Sequence, residues 1–326
     1  MECESATLLE LCVAAACRAG AAPHEAKALA AATLRAEQRG RSAVGVVHFF
    51  DFLDGFASGA INGQPKAVLR RRGTWLSADA DGGIPHAVFS RVLPRLVRMA
   101  RRRGSAVLAI RNSYTCGELG DFTTQLAQRG LVAVGAANSP AHIAWGQKGH
   151  TVLGTNPVSL AAPLEDGAPL LIDQSASSTA YVSLRDAAAS GMSIPRGWAV
   201  DANGKDTTDA SAALKGALLP YAGHKGANQA LMVEILAGLA GGLWSVDAPS
   251  FTNGTTSPSI GFFLLALDPD FADRHFRGRL QRHLDRLQHE HAVHIPGRGN
   301  AHTSSNQELI EVSEDHLKRL RQAAAN

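Results

Sequence analysis

The segment from His150 to Ser178 constrains the fold of this chain more than any other part of the sequence. Two aliphatic runs, Val158–Pro163 and Leu170–Asp173, predict buried strands that are separated by a Glu-Asp-Gly turn. Polar residues flank these runs, in Gly154–Pro157 before the first and in Asp173–Ser177 after the second. Donors at such strand ends can bind a polar ligand, but the same residue types also form ordinary turns. Composition alone leaves both interpretations open.

The segments around this pair of strands alternate between helical and strand patterns. A strand, a helix and a strand precede it, at Ala106–Arg111, Leu119–Arg129 and Leu131–Ala136, and this order predicts an α/β unit with a mixed sheet. Further strands are predicted at Lys66–Arg70 and Gly261–Leu267. The other predicted helices are Ala6–Gly20, Pro23–Arg39, Phe49–Ala57, Ala87–Arg103, Ala180–Ser190, Gly226–Gly242, Ala272–Gln288 and Ser313–Ala324, and loops are predicted over Pro195–Thr208.

Composition is typical of a globular protein and argues against several functional classes. The 326 residues carry a formal net charge of only +3, and the arginine run Arg70–Arg72 has no aromatic neighbours, so nucleic-acid binding is not indicated. No apolar run reaches the roughly 20 residues that cross a bilayer. The cysteines lack CxxC spacing and the tract His289–His294 lacks a placed fourth ligand, so no metal site is predicted. Glu2 and Glu4 stand where a secretory leader is basic, which favours a cytoplasmic protein.

Lys225 is the main candidate for an anion contact outside the His150–Ser178 segment. No GxGxxG follows a predicted strand and no GxxxxGK[ST] occurs, so neither a Rossmann site nor a P-loop is predicted. Lys225 directly precedes the predicted helix Gly226–Gly242, and helix N-termini attract anions. This position favours a phosphate contact, although a solvated lysine would have the same sequence.

A set of short motifs, in this order and spacing, resembles the malate/L-lactate dehydrogenase family of the non-Rossmann kind over nearly the whole chain. That family includes ureidoglycolate, sulfolactate and 2,3-diketogulonate reductases and the Δ1-piperideine-2-carboxylate and Δ1-pyrroline-2-carboxylate ketimine reductases. The motifs are Ile110–Ser113, Ala137–Ser139, Gly154–Pro157, Asp173–Ser177, Gly197–Asp201, Lys225–Gly226, Glu234–Gly238 and Pro296–Gly297.

The resemblance implies an α/β (α+β) fold in which a central domain with a mixed sheet binds NADH or NADPH without a Rossmann motif. It implies an N-terminal helical part at residues 1–64, a central cofactor- and substrate-binding part at 65–270, and a C-terminal helical part at 271–326 that packs with the first. It also implies a small-molecule substrate and an intertwined homodimer. We expect the homodimer for a second reason, because two apolar terminal helical segments would be partly exposed in a lone chain.

Matching the family motifs position by position gives the expected site residues. The residues implied to contact the cofactor are Thr115, Cys116, Gly117, Ser139, Asp173, Gln174, Ser175, Ala176, Lys225, Gly226, Gly297 and Arg298. Substrate contacts are implied for Ala43, Val44, His48, Tyr114 and Thr155. The expected catalytic positions are His48, Thr115 and Asp186, the last of which falls near the acidic relay partner of the family.

The residues that carry the acid–base chemistry of the family are replaced in this chain. Ala43–Gly45 stands where the family has Ser-His-Gly, with the histidine as proton donor. His48 stands where the family has an arginine that binds the substrate carboxylate, and Thr115 replaces a further histidine near the nicotinamide. A positioned acid accelerates ketone reduction by roughly 10²–10⁴, so these joint replacements favour a changed substrate.

Three functional hypotheses follow from these replacements. The favoured one is an NAD(P)H-dependent reductase of a C=N bond, acting on a cyclic imine or ketimine of specialised metabolism, because a protonated imine needs no further acid. The second is a 2-oxo or 2-hydroxy acid dehydrogenase with a relocated acid, for which His48, His142 and Tyr114 are candidates. The third is a cofactor-binding homologue without catalytic activity.

Overall fold

A computed structural model describes residues 1–146, 149–250, 255–297 and 308–325 of the chain. The helices of this described part are α1 (Ser5–Arg18), α2 (Pro23–Gln38), α3 (Val46–Ser58), α4 (Pro85–Arg103), α5 (Leu119–Ala127), α6 (Tyr181–Ala189), α7 (Ala210–Leu214), α8 (His224–Ala240), α9 (Phe276–His291) and α10 (Glu314–Ala325). Its strands are β1 (Glu2–Glu4), β2 (Val68–Arg72), β3 (Trp75–Asp79), β4 (Ser105–Ser113), β5 (Val132–Ala137), β6 (Ile143–Ala144), β7 (Thr151–Leu153), β8 (Val158–Ala162), β9 (Leu170–Gln174), β10 (Ala199–Val200), β11 (Ala217–Leu218), β12 (Ile260–Leu267) and β13 (Leu309–Glu311).

Seven strands form a mixed sheet in the order β2-β3-β4-β12-β5-β8-β9. β3 and β4 are parallel neighbours, while the other adjacent strands of this sheet are antiparallel. β4 and β5 are both antiparallel to β12, which lies between them, and they therefore run parallel to each other. The predicted α/β unit with a mixed sheet is confirmed. Its two strands are nevertheless separated by a strand from much later in the chain.

Helices cover both faces of this sheet. α4 and α5 pack on one face, where Leu96, Phe122 and Phe262 are almost completely buried. α8 packs on the other face, where Val233 joins a small core with Val107 and Phe263. A strand covered on both sides reads as a continuous apolar run, as β12 does. For this reason the sequence pattern locates the central strands to within one or two residues.

A second core lies among the helices from the two ends of the chain. α1 packs on α2 and on α10, and α3 adds the rings of Phe49, Phe52 and Phe56. β1 pairs with β13, so backbone hydrogen bonds also join the two ends. The terminal helices therefore cover each other within one chain, which removes the expected exposure of their apolar faces. None of the described helices is long and apolar enough to cross a membrane.

A third, smaller core forms around the four-stranded sheet β10-β11-β6-β7 and the helices α6 and α7. Leu184, Ile194 and Leu218 are among its buried residues. The segment Pro195–Thr208, predicted to be loops, contains only the two-residue strand β10. This lobe places α6 beside α3, since a side chain of α6 bonds to one of α3.

Three segments differ from their prediction in ways that matter for the site or the sheet. α3 begins at Val46 rather than at Phe49, so its first turn includes His48. The arginine run at residues 70–72 belongs to the edge strand β2, where charged side chains protect an open sheet edge. β3 is absent from the prediction, because Trp75–Asp79 has too few apolar residues for a clear alternation.

Candidate active site

The first turn of α3 is held in place by a glutamate from α2. Glu37 is buried, and its Oε1 accepts the backbone N–H of Val46, the first residue of α3, at 2.6 Å. A Cβ on Gly45 would overlap this carboxylate, which explains the glycine at that position. α2 thus fixes the helical turn that carries His48.

His48 forms an acid–base pair with a carboxylate on its own helix. Its Nδ1 lies 2.7 Å from Oδ2 of Asp51, and its side chain is 12% exposed. Arg185, from α6, donates to the two oxygens of Asp51 at 3.3 and 3.2 Å. Burial raises the pKa of Asp51, but hydrogen bonds and charges from His48 and Arg185 outweigh this effect and hold the pKa below its usual value. Asp51 is therefore ionised at neutral pH and fixes Nδ1 of His48, which leaves Nε2 available to a ligand.

The aromatic ring of Tyr181 forms part of the cleft wall contributed by α6. It stacks on the ring of His142, with the two centroids 4.6 Å apart. The guanidinium carbon of Arg185 lies 6.0 Å from the centroid of the same ring. Burial lowers the pKa of His142 to about 4, so its ring is neutral at physiological pH. A ring that is already neutral at this pH lacks the acidic proton that a donor needs, which argues against His142 as a relocated acid. Its stacking on Tyr181 supports that side chain in the cleft wall.

Two hydroxyl groups meet where β5 ends and β8 begins. Oγ of Ser139 accepts the backbone N–H of Thr155 at 3.0 Å and lies 3.2 Å from Oγ1 of Thr155. A Cβ on Gly154 would overlap Ser139, so the glycine of the Gly154–Pro157 motif permits this close approach. The pair of strand ends therefore presents two adjacent hydroxyl groups to the cleft.

Asn156 anchors the same turn beneath the cleft. It is fully buried and adopts a left-handed conformation with φ of 38°. Its Oδ1 accepts the N–H of Ser139 at 3.2 Å, and its Nδ2 donates to the Ala230 carbonyl at 3.0 Å and to Oε1 of Glu234 at 2.6 Å. Asn tolerates this backbone region better than most residues. The contacts join two motifs that are far apart in sequence and fix the turn to α8.

Asp173, near the end of the edge strand β9, binds the start of α5. Its Oδ2 accepts the N–H of Gly120 at 2.8 Å, and a Cβ on Gly120 would overlap the Asp173 side chain. Burial raises the pKa of Asp173 to about 6, although the bond from Gly120 opposes the shift. This carboxyl group therefore changes protonation close to neutral pH within the cleft wall.

The loop between β4 and α5 supplies an unpaired polar atom and an open backbone. Oγ1 of Thr115 is buried, and no described residue offers it a hydrogen-bond partner. Gly117 has a φ of 60°, a conformation that favours glycine. Burial raises the pKa of the Cys116 thiol to about 12, so the thiol stays neutral. The orphaned hydroxyl and the missing side chain at Gly117 fit a bound ligand such as a nucleotide cofactor.

The N-terminus of α8 packs under the end of β9. The backbone N–H of Ala176 donates to the Thr155 carbonyl at 2.7 Å, and the Ala176 carbonyl accepts the N–H of Tyr221 at 3.0 Å. A Cβ on Gly226 would overlap the carbonyl oxygens of Ala176 and Tyr221, so glycine permits this contact. Lys225 lies exposed in the first turn of the helix, beside this junction. The structure thus places Lys225 at a helix N-terminus, as the sequence predicts.

These elements enclose a cleft of about 360 Å³. The predicted site residues that line it are Val44, His48, Thr115, Cys116, Gly117, Ser139, Thr155, Asp173, Gln174 and Ser175. The others lie elsewhere: Ala43, Asp186 and Lys225 are exposed, Tyr114 is buried in the helical core, Ala176 and Gly226 are buried at the base of α8, and Gly297 lines a second cleft. Arg298 is outside the described residues. The burial of Tyr114 argues against substrate contact, and the exposure of Asp186 argues against a relay role.

Four residues that shape the candidate site are missing from the sequence prediction: Arg41, Tyr181 and Arg185, which line the cleft, and Asp51, which contacts His48. Asp51 follows His48 by three residues, a spacing that places both on one helix face. The prediction starts α3 at Phe49, after His48, and so hides this signal. Arg185 precedes the predicted Asp186, and successive helical residues point about 100° apart. The predicted residue Asp186 is therefore exposed, whereas its neighbour Arg185 lines the cleft.

The model of the family described as malate/L-lactate dehydrogenase matches residues 3–321. The (2R)-3-sulfolactate dehydrogenase (NADP(+)) of Chromohalobacter salexigens is 34% identical over 324 residues, which cover 97% of this chain and 96% of that protein. The Δ1-pyrroline-2-carboxylate/Δ1-piperideine-2-carboxylate reductase of Pseudomonas putida is 32% identical over 313 residues, covering 94% and 92%. The crystal structure of Δ1-piperideine-2-carboxylate reductase from Pseudomonas syringae has a TM-score of 0.93 and 30% identity over 99% of both chains. This chain belongs to the malate/L-lactate dehydrogenase family.

Proposed function

We propose that this chain is an NAD(P)H-dependent reductase of a small cyclic imine that carries a carboxylate beside its C=N bond. The names of the Pseudomonas putida and Pseudomonas syringae relatives support this substrate class. One observation carries the proposal: the contact of His48 with Asp51, and of Asp51 with Arg185, in a cleft that also holds the predicted cofactor residues. This group supplies a proton donor and a cation for a carboxylate. When bound, the cofactor supplies the hydride.

In this proposal His48 is the proton donor. Asp51 holds Nδ1, so Nε2 gives its proton to the imine nitrogen and a new N–H bond forms. The hydride then forms a C–H bond at the neighbouring carbon, and the electron pair of the C=N π bond becomes the lone pair of a cyclic amine. His48 regains a proton from solvent. The donor stands four residues after Val44, which occupies the place of the family histidine.

Arg185 and Arg41 are the proposed cations for the substrate carboxylate. Both line the cleft, and their side chains are 30% and 50% exposed. Asp51 and Glu118 are their acidic neighbours, at 3.2 and 3.6 Å. A guanidinium has five N–H donors in a fixed fork, so each retains donors for a second carboxylate. These two arginines replace the carboxylate-binding arginine that the family has at the position of His48.

The cofactor is proposed to lie along Thr115–Gly117, Ser139 and Asp173–Ser175, with Lys225 near a phosphate. The unpaired hydroxyl of Thr115 is an available partner. Asp173 retains Oδ1 to accept a ribose hydroxyl, since its Oδ2 already binds the N–H of Gly120. The positive end of α8 adds to the attraction that Lys225 exerts on a phosphate.

A 2-oxo or 2-hydroxy acid dehydrogenase is the second candidate function. The sulfolactate dehydrogenase relative acts on a hydroxy acid by its name. The pairing of His48 with Asp51 also provides an acid that a ketone requires and that the sequence lacks at position 44. A comparison of substrates therefore has to separate the two reactions.

The test is a panel of NADH and NADPH oxidation rates with four substrates at one pH. The substrates are Δ1-piperideine-2-carboxylate, 1-pyrroline without a carboxylate, pyruvate and 3-sulfopyruvate. We expect kcat/KM for the carboxylated imine to exceed that for each of the others by about tenfold or more, since it uses both the donor and the cations. Turnover of the oxo acids alone would establish the second candidate. Cofactor binding without any turnover would leave the inactive homologue as the remaining hypothesis.

The outer face of α8 is the proposed interface of a homodimer. Leu231, Met232, Ile235 and Leu239 are 54–65% exposed and lie on one side of the helix. Leu243, Trp244 and Val246 extend this apolar surface beyond the helix. We name these seven residues the α8 patch. An exposed apolar surface of this kind is typical of a protein–protein contact, and the intertwined dimer implied by the family makes a second copy the expected partner.

A further inference from the structure

A second cleft, of about 890 Å³, lies beside the candidate active site and is lined by six arginines. It is formed by the end of α2, the end of α5, the turn between β8 and β9, and the start of α9. The arginines are Arg35, Arg39, Arg41, Arg101, Arg129 and Arg277, and the acidic residue in the lining is Glu165. We name it the arginine cleft.

Neighbouring carboxylates neutralise only part of this charge. Asp121 accepts two hydrogen bonds from Arg35, both at 2.7 Å. Glu118 accepts one from Arg39 at 2.6 Å, and Asp270 lies 3.4 Å from Arg277.

Two further arginines of the cleft bond to carbonyl oxygens, which carry no net charge. Arg101 donates to the carbonyl of Arg129 at 2.8 Å, and Arg129 donates to that of Gln125 at 2.7 Å. The six guanidinium groups of the lining therefore have four carboxylates near them, those of Asp121, Glu118, Asp270 and Glu165. A positive surplus remains in the cleft.

Three buried polar atoms of the lining also lack partners among the described residues. They are Nε of Arg39, Nε of Arg277 and Oγ1 of Thr124. Two of them are charged N–H donors, and a buried donor without an acceptor is costly. These unpaired charged donors add to the positive surplus of the cleft, which favours a bound anion.

We propose that the arginine cleft binds a phosphate monoester. Arginine forks match the oxygens of phosphate, and several forks around one pocket favour a dianion over a single carboxylate. The open volume admits the organic group that carries the phosphate.

The arginine cleft adjoins the candidate active site. Arg41 lines both. Leu171 lines the arginine cleft and Asp173 the active site, and these alternate residues of β9 lie about 7 Å apart on one face of the strand. Two sources of the phosphate follow. It is either the 2′-phosphate of NADPH bound across both clefts, which rests on the proposed function, or the phosphate of a separate small molecule, which does not.

Calorimetric titration with two probes tests the proposal. The first probe is 2′,5′-ADP, which carries the 2′-phosphate of NADPH, and the second is inorganic phosphate, with 5′-AMP as the control ligand. Arg101→Gln with Arg129→Gln removes two exposed charges of the cleft. Arg102→Gln with Arg103→Gln removes two exposed charges from the end of the same helix α4, outside the cleft lining.

We expect Arg101→Gln with Arg129→Gln to raise the Kd of the bound probe roughly tenfold or more, and the control pair to change it less than about twofold.

If 2′,5′-ADP binds in this way and competes with NADPH, the phosphate belongs to the cofactor. If inorganic phosphate binds in this way without competing with NADPH, the ligand is separate. An equal effect of both double variants, or no binding of either probe, overturns the proposal. The proposed imine reduction uses Arg41 of this cleft but neither Arg101 nor Arg129. Absence of imine turnover with NADH in the natural chain would therefore count against the proposed function and not against phosphate binding.

Discussion

At the scale of single residues, the proposed acid–base chemistry of the cleft depends on the orientation of His48. Asp51 holds one ring nitrogen at 2.7 Å, and Arg185 holds Asp51 from another element. A histidine without such a partner rotates freely and presents either nitrogen to a ligand. The paired carboxylate fixes the orientation of the ring, as in other oriented acid–base pairs.

Replacing His48 with Asn should therefore lower kcat far more than it raises KM. For an oxo acid we expect a fall of roughly 10²–10⁴, and for a cyclic imine a smaller fall at pH values where the imine is already protonated. Asp51→Asn should act in the same direction more weakly. Steady-state kinetics at several pH values check this, with the exposed Asp54→Asn on the same helix as control. An unchanged kcat for both substrate types in His48→Asn would remove this residue from the reaction.

The sequence predicts those site residues whose signal is local. The apolar pattern of the neighbouring strands places Thr155 and Asp173 at strand ends, and the family resemblance adds Ser139, which contacts Thr155. Arg185 has no such signal, because its contact with Asp51 joins residues 134 positions apart. Tyr114 illustrates the opposite problem. Its motif gives its place in the chain but not the direction of its side chain, which is fully buried.

At the scale of helices and strands, α2 organises its neighbours through two buried carboxyl groups. Glu37 accepts the N–H of Val46 at the start of α3, and Glu25 accepts the N–H of Ile84 just before α4 at 3.2 Å. Both side chains therefore cap the N-terminus of another helix, where unpaired N–H groups and the helix dipole favour an acceptor. Burial opposes ionisation, however, and raises the pKa of Glu25 to about 7, although the bond from Ile84 lowers it.

Glu25 should make stability depend on pH between about 4.5 and 7. Because its folded pKa is above the usual 4.5, its contribution is full below that value and is lost as pH rises through 7. Glu25→Gln keeps an acceptor for Ile84 without titrating. We expect this variant to gain about 1–3 kcal/mol relative to the natural chain between pH 5 and pH 8.5.

Urea unfolding at the two pH values measures this difference, with the exposed Glu10→Gln as control. A difference that does not change with pH would show that Glu25 titrates alike in the folded and unfolded states. The same sequence pattern that predicts the bounds of α2 to within one residue gives no indication of this cap. A glutamate on a helix face is ordinarily solvated, and only tertiary packing buries it.

At the scale of the whole molecule, α8 has one face packed in the core and one face exposed at the surface. Its inner face packs small residues and Val233 on the sheet, and Glu234 holds Asn156 beneath the cleft. Its outer face carries the α8 patch. The sequence predicts α8 as an apolar helix but not which side is covered. A helix that is apolar all round gives no such signal.

Ile235→Glu with Leu239→Glu should convert the proposed dimer to a monomer, since two charges would be buried at the interface. Light scattering should return about twice the chain mass of 34.2 kDa for the natural chain and one mass for the variant. Met192→Glu, at a position equally exposed on another part of the surface, is the control. A natural chain of one mass across micromolar concentrations would contradict the interface.

The contact of His48 with Asp51 lies within one helix, whereas Arg185 reaches it from a different lobe. The proposed proton donor is therefore complete within one element, whatever the placement of α6. The proposed cation for the carboxylate depends instead on the packing of α6 against α3. In the proposed site, proton donation and carboxylate binding are thus supplied by separate parts of the fold.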